Sequence, residues 1–204
     1  TMRFVTAISS LLNDGYVVIT GDDSIRKRPM RPLLAALKQL GVNSFSTRKN
    51  GKAPIIVQGR GINGDNITID GSISSQFISG ILIAGVRAKS GISLSVIGKQ
   101  VSKSYIQSTL NVMSKFGARV KHSKDYRKYN IFNNRYVPTT FTVPGDFSTA
   151  SLLLSAGTLV GGEITVSNLD FSLPQGDSKI LEILKKIGAV ISIDKRNGTV
   201  KTKG

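Results

Sequence analysis

The chain contains no cysteine, one histidine and few aromatic residues, and these shortages narrow the classes of protein it can belong to. Without cysteine there can be no disulfide, no thiol nucleophile and no cysteine-based zinc site. Only 6% of the residues are aromatic, so a core must come mainly from Ile, Val, Leu and Ala. The longest apolar run, residues 77–88, is shorter than the roughly 20 apolar residues that span a bilayer. We expect a protein with no membrane span, and the lack of cysteine is consistent with a cytoplasmic location.

Acidic residues are scarce as well, with 12 against 28 basic ones and a net charge of +16. Such an excess indicates an anionic partner, such as a nucleic acid, a membrane surface or a phosphorylated metabolite. The densest basic stretch is KFGARVKHSKDYRKYN, residues 115–130. We interpret it as a solvated helix end followed by a hairpin, in preference to a face that binds nucleic acid.

Internal repeats are present in two forms. The segments PLLAALKQLGV (32–42), STLNVMSKFGA (108–118) and KILEILKKIGA (179–189) each have apolar residues at helical spacing and a glycine at the exit. That glycine suits the left-handed residue that closes a helix, so each segment predicts an amphipathic surface helix.

The second repeat relates DGSISSQFISGILIAG (70–85) to PGDFSTASLLLSAGTL (144–159). Both place a glycine and small polar residues after a strand and before a helix that is apolar nearly all round, which predicts a buried helix. Together the two repeats give a unit of about 70 residues with the order β-α-β-α-β-β. In the first copy TMRFVTAISSLL (1–12) matches the buried helix and no opening strand precedes it, so we expect a part of a longer protein.

Polar strand-to-helix loops recur in the repeated units, and two of them, in residues 21–33 and 101–106, occupy the same place before the amphipathic helix. The segment GDDSIRKRPMRPL (21–33) surrounds a proline with arginines, and arginine grips phosphate and carboxylate groups in a bidentate manner. The junction DGSISSQF (70–77) combines a helix N-terminus, which favours anions, with hydroxyl and amide groups. The stretch VSKSYI (101–106) is similarly polar. Although each loop by itself can be an ordinary cap or solvated turn, the repetition predicts that the three converge on one site.

These segments resemble the 5-enolpyruvylshikimate-3-phosphate synthase family, also called 3-phosphoshikimate 1-carboxyvinyltransferase. The resemblance covers the whole chain, and its motifs occur in the family's order. They are TMRF, the R-x-R-P-M loop, DGSISSQF, VSKSYI, VPGDFSTAS and LPQGDSK. It implies an α/β fold of repeated β-α-β-α-β-β units with buried helices enclosed by sheets, the enolpyruvyl transferase fold. The activity implied is transfer of the enolpyruvyl group of phosphoenolpyruvate to the 5-hydroxyl of shikimate 3-phosphate, with release of phosphate and with no metal or organic cofactor.

The resemblance also implies roles for individual side chains. Arg28 and Arg3 would bind phosphoenolpyruvate, although the family's glycine contact would precede Thr1. The residues that would bind or line the pocket for shikimate 3-phosphate are Ser74, Ser75, Gln76, Ser102 and Tyr105. Family members are usually monomeric, and no nucleic-acid partner is expected.

Several groups that carry acid–base chemistry in the family have no counterpart in this sequence, and we leave the catalytic residues unassigned. His122 lies in a basic hairpin and is interpreted as a surface residue, and Asp146 as a helix cap or crossover residue. We predict two units of a first domain over residues 1–138 and the first unit of a second domain over 139–204. We accordingly expect the isolated polypeptide to be inactive.

Two alternatives stay open at this point. UDP-N-acetylglucosamine enolpyruvyl transferases share the architecture and the chemistry, usually with a cysteine in the loop where this chain has Asp23; SISSQF and VSKSYI favour shikimate 3-phosphate over that substrate. The other alternative is a basic repeat module that binds nucleic acid. Its affinity for nucleic acid would fall steeply as the salt concentration rises.

Overall fold

A computed structural model describes all 204 residues and divides them into two compact units, Thr1–Thr139 and Thr140–Gly204. Each unit has its own hydrophobic core. The longest helices have 13 residues, and none combines the length and the hydropathy that a bilayer-spanning helix requires.

The first unit contains two successive copies of the repeat. The helices are α1 (Met2–Ser9), α2 (Asp23–Lys27), α3 (Arg31–Gln39), α4 (Ser75–Gly85) and α5 (Lys103–Lys115). The strands are β1 (Tyr16–Ile19), β2 (Ser44–Ser46), β3 (Ile55–Gln58), β4 (Asn66–Asp70), β5 (Ile92–Ile97), β6 (Val120–His122) and β7 (Lys128–Ile131). The second copy therefore runs β4-α4-β5-α5-β6-β7, as the sequence predicts.

The strands of this unit form two sheets. One has the antiparallel order β1-β3-β2, and the other has the order β4-β5-β7-β6, in which only β4 and β5 are parallel. Alternating burial along β4, with Ile67 and Ile69 inside, shows that one face of the second sheet packs on the core. The α/β class with repeated β-α-β-α-β-β units, predicted from the sequence, is confirmed.

The helix α4 is buried on nearly every side, as its all-round apolar sequence predicts. It packs against α1, and Gly80 faces α1 at a point where an added Cβ would come within 3.2 Å of the Arg3 backbone oxygen. The lack of a side chain at Gly80 lets the two backbones meet, and this contact brings the start of α1 beside the start of α4.

The repeated glycine at the helix exits also adopts the predicted conformation. Gly41, Gly117 and Gly188 follow the three amphipathic helices with φ of 77°, 77° and 99°. Side chains with a Cβ rarely adopt this left-handed region, which explains why the three segments end alike.

The second unit contains α6 (Phe147–Leu159), β8 (Glu163–Val166), a 3-10 turn (Gly176–Lys179), α7 (Ile180–Lys186), β9 (Val190–Asp194) and β10 (Thr199–Lys203). Its sheet has the antiparallel order β8-β10-β9. Phe147, Leu154 and Val200 are among the residues at the centre of its core.

Three expectations are corrected by the structure. The helix α6 is not buried all round, because its neighbours in this unit cover one face, and Leu152 is 73% exposed. The strand expected before PGDF is reduced to a single parallel bridge between Gly145 and Leu169. The loop after β1 contains the short helix α2, which begins because the Asp22 side chain accepts a hydrogen bond from Ile25 N at 2.8 Å.

Candidate substrate-binding site

Arg3 joins the start of α1 to the N-terminus of α4. Its Nη1 donates to Ser74 Oγ at 2.7 Å and to Gln76 Oε1 at 3.1 Å. Its guanidinium lies over the Phe77 ring, 4.7 Å from the centroid, where a cation is attracted by the negative face of the ring. The α1–α4 packing at Gly80 thus places a half-buried arginine on the polar junction that the sequence singled out.

The junction DGSISSQF divides its polar residues between capping and exposure. Ser74 is the N-cap, with an extended backbone and its Oγ accepting from Gln76 N at 3.3 Å. Ser75 is buried, whereas Gln76 is exposed. Upstream, hydrogen bonds from Ser72 lower the pKa of Asp70 and fold the turn that leads into the helix. One serine therefore caps α4, and the neighbouring polar groups are not needed for that purpose.

Arg28 lies across a cavity from this junction. The helix α2 ends at Arg28 in an extended conformation, as expected for a residue before proline. The cavity has a volume of about 250 Å³, and its lining consists of Thr1, Met2, Arg3, Ile25, Arg28, Met30 and Gln76. The loop of the first copy and the α4 junction of the second therefore share one cavity.

The electrostatics of this cavity favour an anion. Burial lowers the pKa of Arg3 below its usual value, and the positive charge of Arg28 lowers it further, although arginine keeps its proton in proteins. Ion pairs join Arg26 to Asp23 and Lys201 to Glu163, and neither Arg3 nor Arg28 takes part in them. Two like charges at one cavity repel each other, and a bound carboxylate or phosphate would relieve that repulsion.

The third polar loop meets the second through the backbone. Val101 N donates to Gly71 O at 3.2 Å, which puts Ser102 beside the DGSISS turn. Ser102 precedes α5 with a left-handed φ of 52° and makes no capping bond with its side chain. Tyr105 shares a second, largely apolar cavity of about 610 Å³ with Gln76. The structure therefore groups Arg3, Arg28, Ser74 and Gln76 closely, and places Ser102 and Tyr105 on the adjoining loop and helix.

Ser75 and some lining residues differ from what the sequence suggests. Ser75 is only 4% exposed, so its hydroxyl is less accessible than the Gln76 amide. Ile25 and Met30 also line the cavity, although the sequence did not predict either of them as a site residue. The one available signal is Asp22, an N-cap residue before DSIR, which indicates the short helix α2. That helix turns Ile25 toward the cavity.

His122 and Asp146 have the structural environments that the sequence predicts for them. His122 is exposed on the β6–β7 hairpin and stacks on Tyr126 with a centroid distance of 4.6 Å. Asp146 caps α6 by accepting from Thr149 N at 3.0 Å, and its hydrogen bonds with Thr149 and Ser148 lower its pKa. Both interpretations from the sequence, a surface histidine and a capping aspartate, are confirmed. No group of three or more His, Cys, Asp or Glu side chains is placed to hold a metal ion.

Comparison with known proteins identifies the class and then the family. The chain superposes on the enolpyruvyl transferase fold of EPSP synthase from Acinetobacter baumannii, with a TM-score of 0.73 and 24% identity over 100% of this chain and 45% of that one. The family model for EPSP synthase (3-phosphoshikimate 1-carboxyvinyltransferase) matches residues 1–204. The chain therefore belongs to the EPSP synthase family.

Curated relatives carry the same family name. The 3-phosphoshikimate 1-carboxyvinyltransferase of Methanococcus maripaludis strain C7 is 42% identical over 211 residues, which cover 100% of this chain and 49% of the relative. That of Methanococcoides burtonii is 46% identical over 207 residues, covering 100% of this chain and 48% of the relative. The chain thus spans about half the length of the curated relatives it matches.

Proposed function

We propose that this chain provides part of the substrate site for enolpyruvyl transfer from phosphoenolpyruvate to the 5-hydroxyl of shikimate 3-phosphate, with release of phosphate. The observation that carries the proposal is the cavity shared by Arg3 on α1, Arg28 at the end of α2 and Gln76 at the start of α4, in a chain that belongs to the EPSP synthase family. The family membership favours this reaction over the UDP-N-acetylglucosamine transferase alternative.

The proposed roles follow the chemistry of the two ligands, which are both polyanions. Arg28 and Arg3 would bind phosphoenolpyruvate. The residues that would bind shikimate 3-phosphate are Ser74, Ser75, Gln76, Ser102 and Tyr105. Arginines and helix N–H groups hold phosphate and carboxylate and also stabilise charge that develops in a transition state. Residues 1–138 would form two repeat units of the first domain, and residues 139–204 would form the first repeat unit of the second domain. The enzyme would be monomeric and cytoplasmic.

Enolpyruvyl transfer also needs proton movement, and this chain offers no acid–base pair at the cavity. The methylene carbon must be protonated and the 5-hydroxyl deprotonated as the tetrahedral intermediate forms and collapses. The only histidine stacks on Tyr126 in the hairpin, and Asp146 is held as a cap. We therefore expect the isolated chain to bind a substrate without turning it over.

Calorimetric titration of the full chain with shikimate 3-phosphate tests the proposal. The wild type is expected to bind, and Ser75→Ala and Gln76→Ala are each expected to weaken binding by about tenfold, the effect of losing one hydrogen bond to a charged group. Ser93→Ala is the matched control, because Ser93 is exposed on β5 and its hydroxyl donates to Asn130 Oδ1 at 3.2 Å, away from the cavity residues.

A folded wild-type chain that does not bind shikimate 3-phosphate would contradict the proposal. Equal effects of the control and the site variants would contradict it as well. Binding to nucleic acid that collapses with added salt, without binding to shikimate 3-phosphate, would support the nucleic-acid alternative instead.

A further inference from the structure

The bonds of Arg3 determine which way the Gln76 amide faces. A guanidinium only donates hydrogen bonds, so the atom of Gln76 that lies 3.1 Å from Arg3 Nη1 must be the carbonyl oxygen. The amide nitrogen then points away from Arg3. Because Gln76 is exposed and lines the cavity, its two N–H groups are available to a bound ligand.

The same argument applies to the hydroxyl of Ser74. Its oxygen accepts from Arg3 Nη1 at 2.7 Å and from Gln76 N at 3.3 Å. A hydroxyl oxygen has two acceptor lone pairs and one proton. Both lone pairs are in use, so the only hydrogen bond that Ser74 can still make is a donation.

We propose that Arg3 is a positioning residue, which acts through Ser74 and Gln76 by turning both into hydrogen-bond donors aimed at an anionic ligand. This inference rests on the proposed function of the site and reassigns Arg3 within it. Without Arg3 the Gln76 amide can rotate and present its oxygen to the ligand, and an oxygen repels an anion.

The environment of Arg3 supports this indirect role. Its side chain is fixed between two acceptors and the Phe77 ring, whereas Arg28 is exposed at the same cavity. A guanidinium held at three points keeps a single orientation at low entropic cost. Arg28 is then the cation that meets the ligand directly, and Arg3 holds the donors.

A double-mutant cycle on the full chain, titrated with shikimate 3-phosphate, separates positioning from direct contact. Arg3→Ala and Gln76→Ala are each expected to weaken binding by about tenfold. In the double variant the loss is expected to be clearly smaller than the sum of the two single losses, because the part of the Arg3 effect that passes through Gln76 is already lost and only the part through Ser74 remains. Arg3→Lys keeps the charge, but its ammonium ends one bond short of Nη1, the nitrogen that makes both hydrogen bonds, and it is expected to restore less than half of the lost binding free energy.

If the losses of binding free energy in Arg3→Ala and Gln76→Ala add up in the double variant, or if Arg3→Lys binds shikimate 3-phosphate as tightly as the wild type, Arg3 acts by its charge alone. Either result would overturn the inference. Arg60→Ala is the matched control, since Arg60 is an exposed arginine that follows β3 and is absent from the lining of the cavity. It is expected to change the affinity by less than about twofold. Thermal unfolding of each variant confirms that it is folded.

A measurement without ligand keeps this inference separate from the proposed function. The side-chain N–H pair of Gln76 is observed by ¹⁵N NMR in the wild type and in Arg3→Lys. Restricted rotation in the wild type that is lost in the variant supports positioning, even if shikimate 3-phosphate does not bind. Identical side-chain amide signals in the two proteins would overturn the inference, whatever the titration gives.

Discussion

At the residue scale, the site depends on pairs of side chains that lie far apart in the sequence. Arg3 reaches Ser74 and Gln76 across 71 and 73 positions. The sequence identifies the three residues as polar and well placed for an anion, but no periodicity gives their mutual hydrogen bonds. Such bonds follow from the packing of α1 against α4, which only tertiary structure supplies.

Tyr136, which lines the second cavity together with Gln76 and Tyr105, gives a prediction about stability at the same scale. Its hydroxyl donates to Ile83 O at 2.9 Å, and burial raises its pKa to about 12. The folded state therefore favours the neutral phenol. The contribution of Tyr136 to the free energy of unfolding is fully present below about pH 10, the pKa of tyrosine in the unfolded chain, and is lost as the pH rises toward 12. Tyr136→Phe is expected to lower the free energy of unfolding by about 1 kcal/mol at neutral pH. Above about pH 10 the variant is expected to lose less further stability than the wild type does.

Urea unfolding of the wild type and Tyr136→Phe at about pH 8 and about pH 11 measures this difference. Tyr16→Phe is the control, because the Tyr16 side chain is 65% exposed on β1. Burial also raises the pKa of Tyr129 to about 12, so part of the alkaline loss is expected to persist in both variants. Parallel curves for the wild type and Tyr136→Phe would contradict the prediction.

At the scale of elements, the sequence predicts the type of each helix better than its surroundings. The buried helix α4 and the glycine exits follow from local pattern, since apolar residues on every side and a left-handed residue are written in the segment itself. The helix α6 has the same pattern, yet Leu152 is 73% exposed and Leu154 is fully buried. Hydropathy indicates which faces can be covered, and the neighbouring elements decide which ones are.

The α1–α4 contact supplies the prediction for this scale. Gly→Ala in an exposed helix stabilises by up to about 1 kcal/mol, but at Gly80 the new Cβ would lie 3.2 Å from Arg3 O and 3.4 Å from Ala7 Cβ. We expect Gly80→Ala to destabilise by about 1–3 kcal/mol, as overpacking does, and to weaken ligand binding by displacing Arg3. Chemical denaturation and titration measure the two effects.

Ser114→Ala is the control for helix propensity, because Ser114 is exposed on α5. It is expected to change stability by no more than about 0.5 kcal/mol and to leave binding unchanged. A gain of stability at Gly80→Ala would show that the two helices can separate without cost.

At the scale of the whole molecule, two compact units are joined by a segment without regular structure. Residues 138–144 form neither helix nor strand, and Val143 is 74% exposed. We expect brief thermolysin treatment under native conditions to cut within 138–144 before any other place, since exposed backbone outside hydrogen-bonded elements is cleaved first. Mass spectrometry of the early fragments identifies the site, and an earlier cut in the β6–β7 hairpin would contradict the prediction.

The charge is unevenly divided between these units, since 21 of the 28 basic residues but only 6 of the 12 acidic ones lie in residues 1–139. The two arginines of the candidate cavity, Arg3 and Arg28, belong to this strongly positive half. A ligand with several negative charges is drawn toward it before any contact forms, over the roughly 8 Å that physiological salt leaves unscreened. Added salt therefore lowers the association rate of such a ligand more than it changes the dissociation rate. The surplus of lysine and arginine governs how quickly the cavity fills.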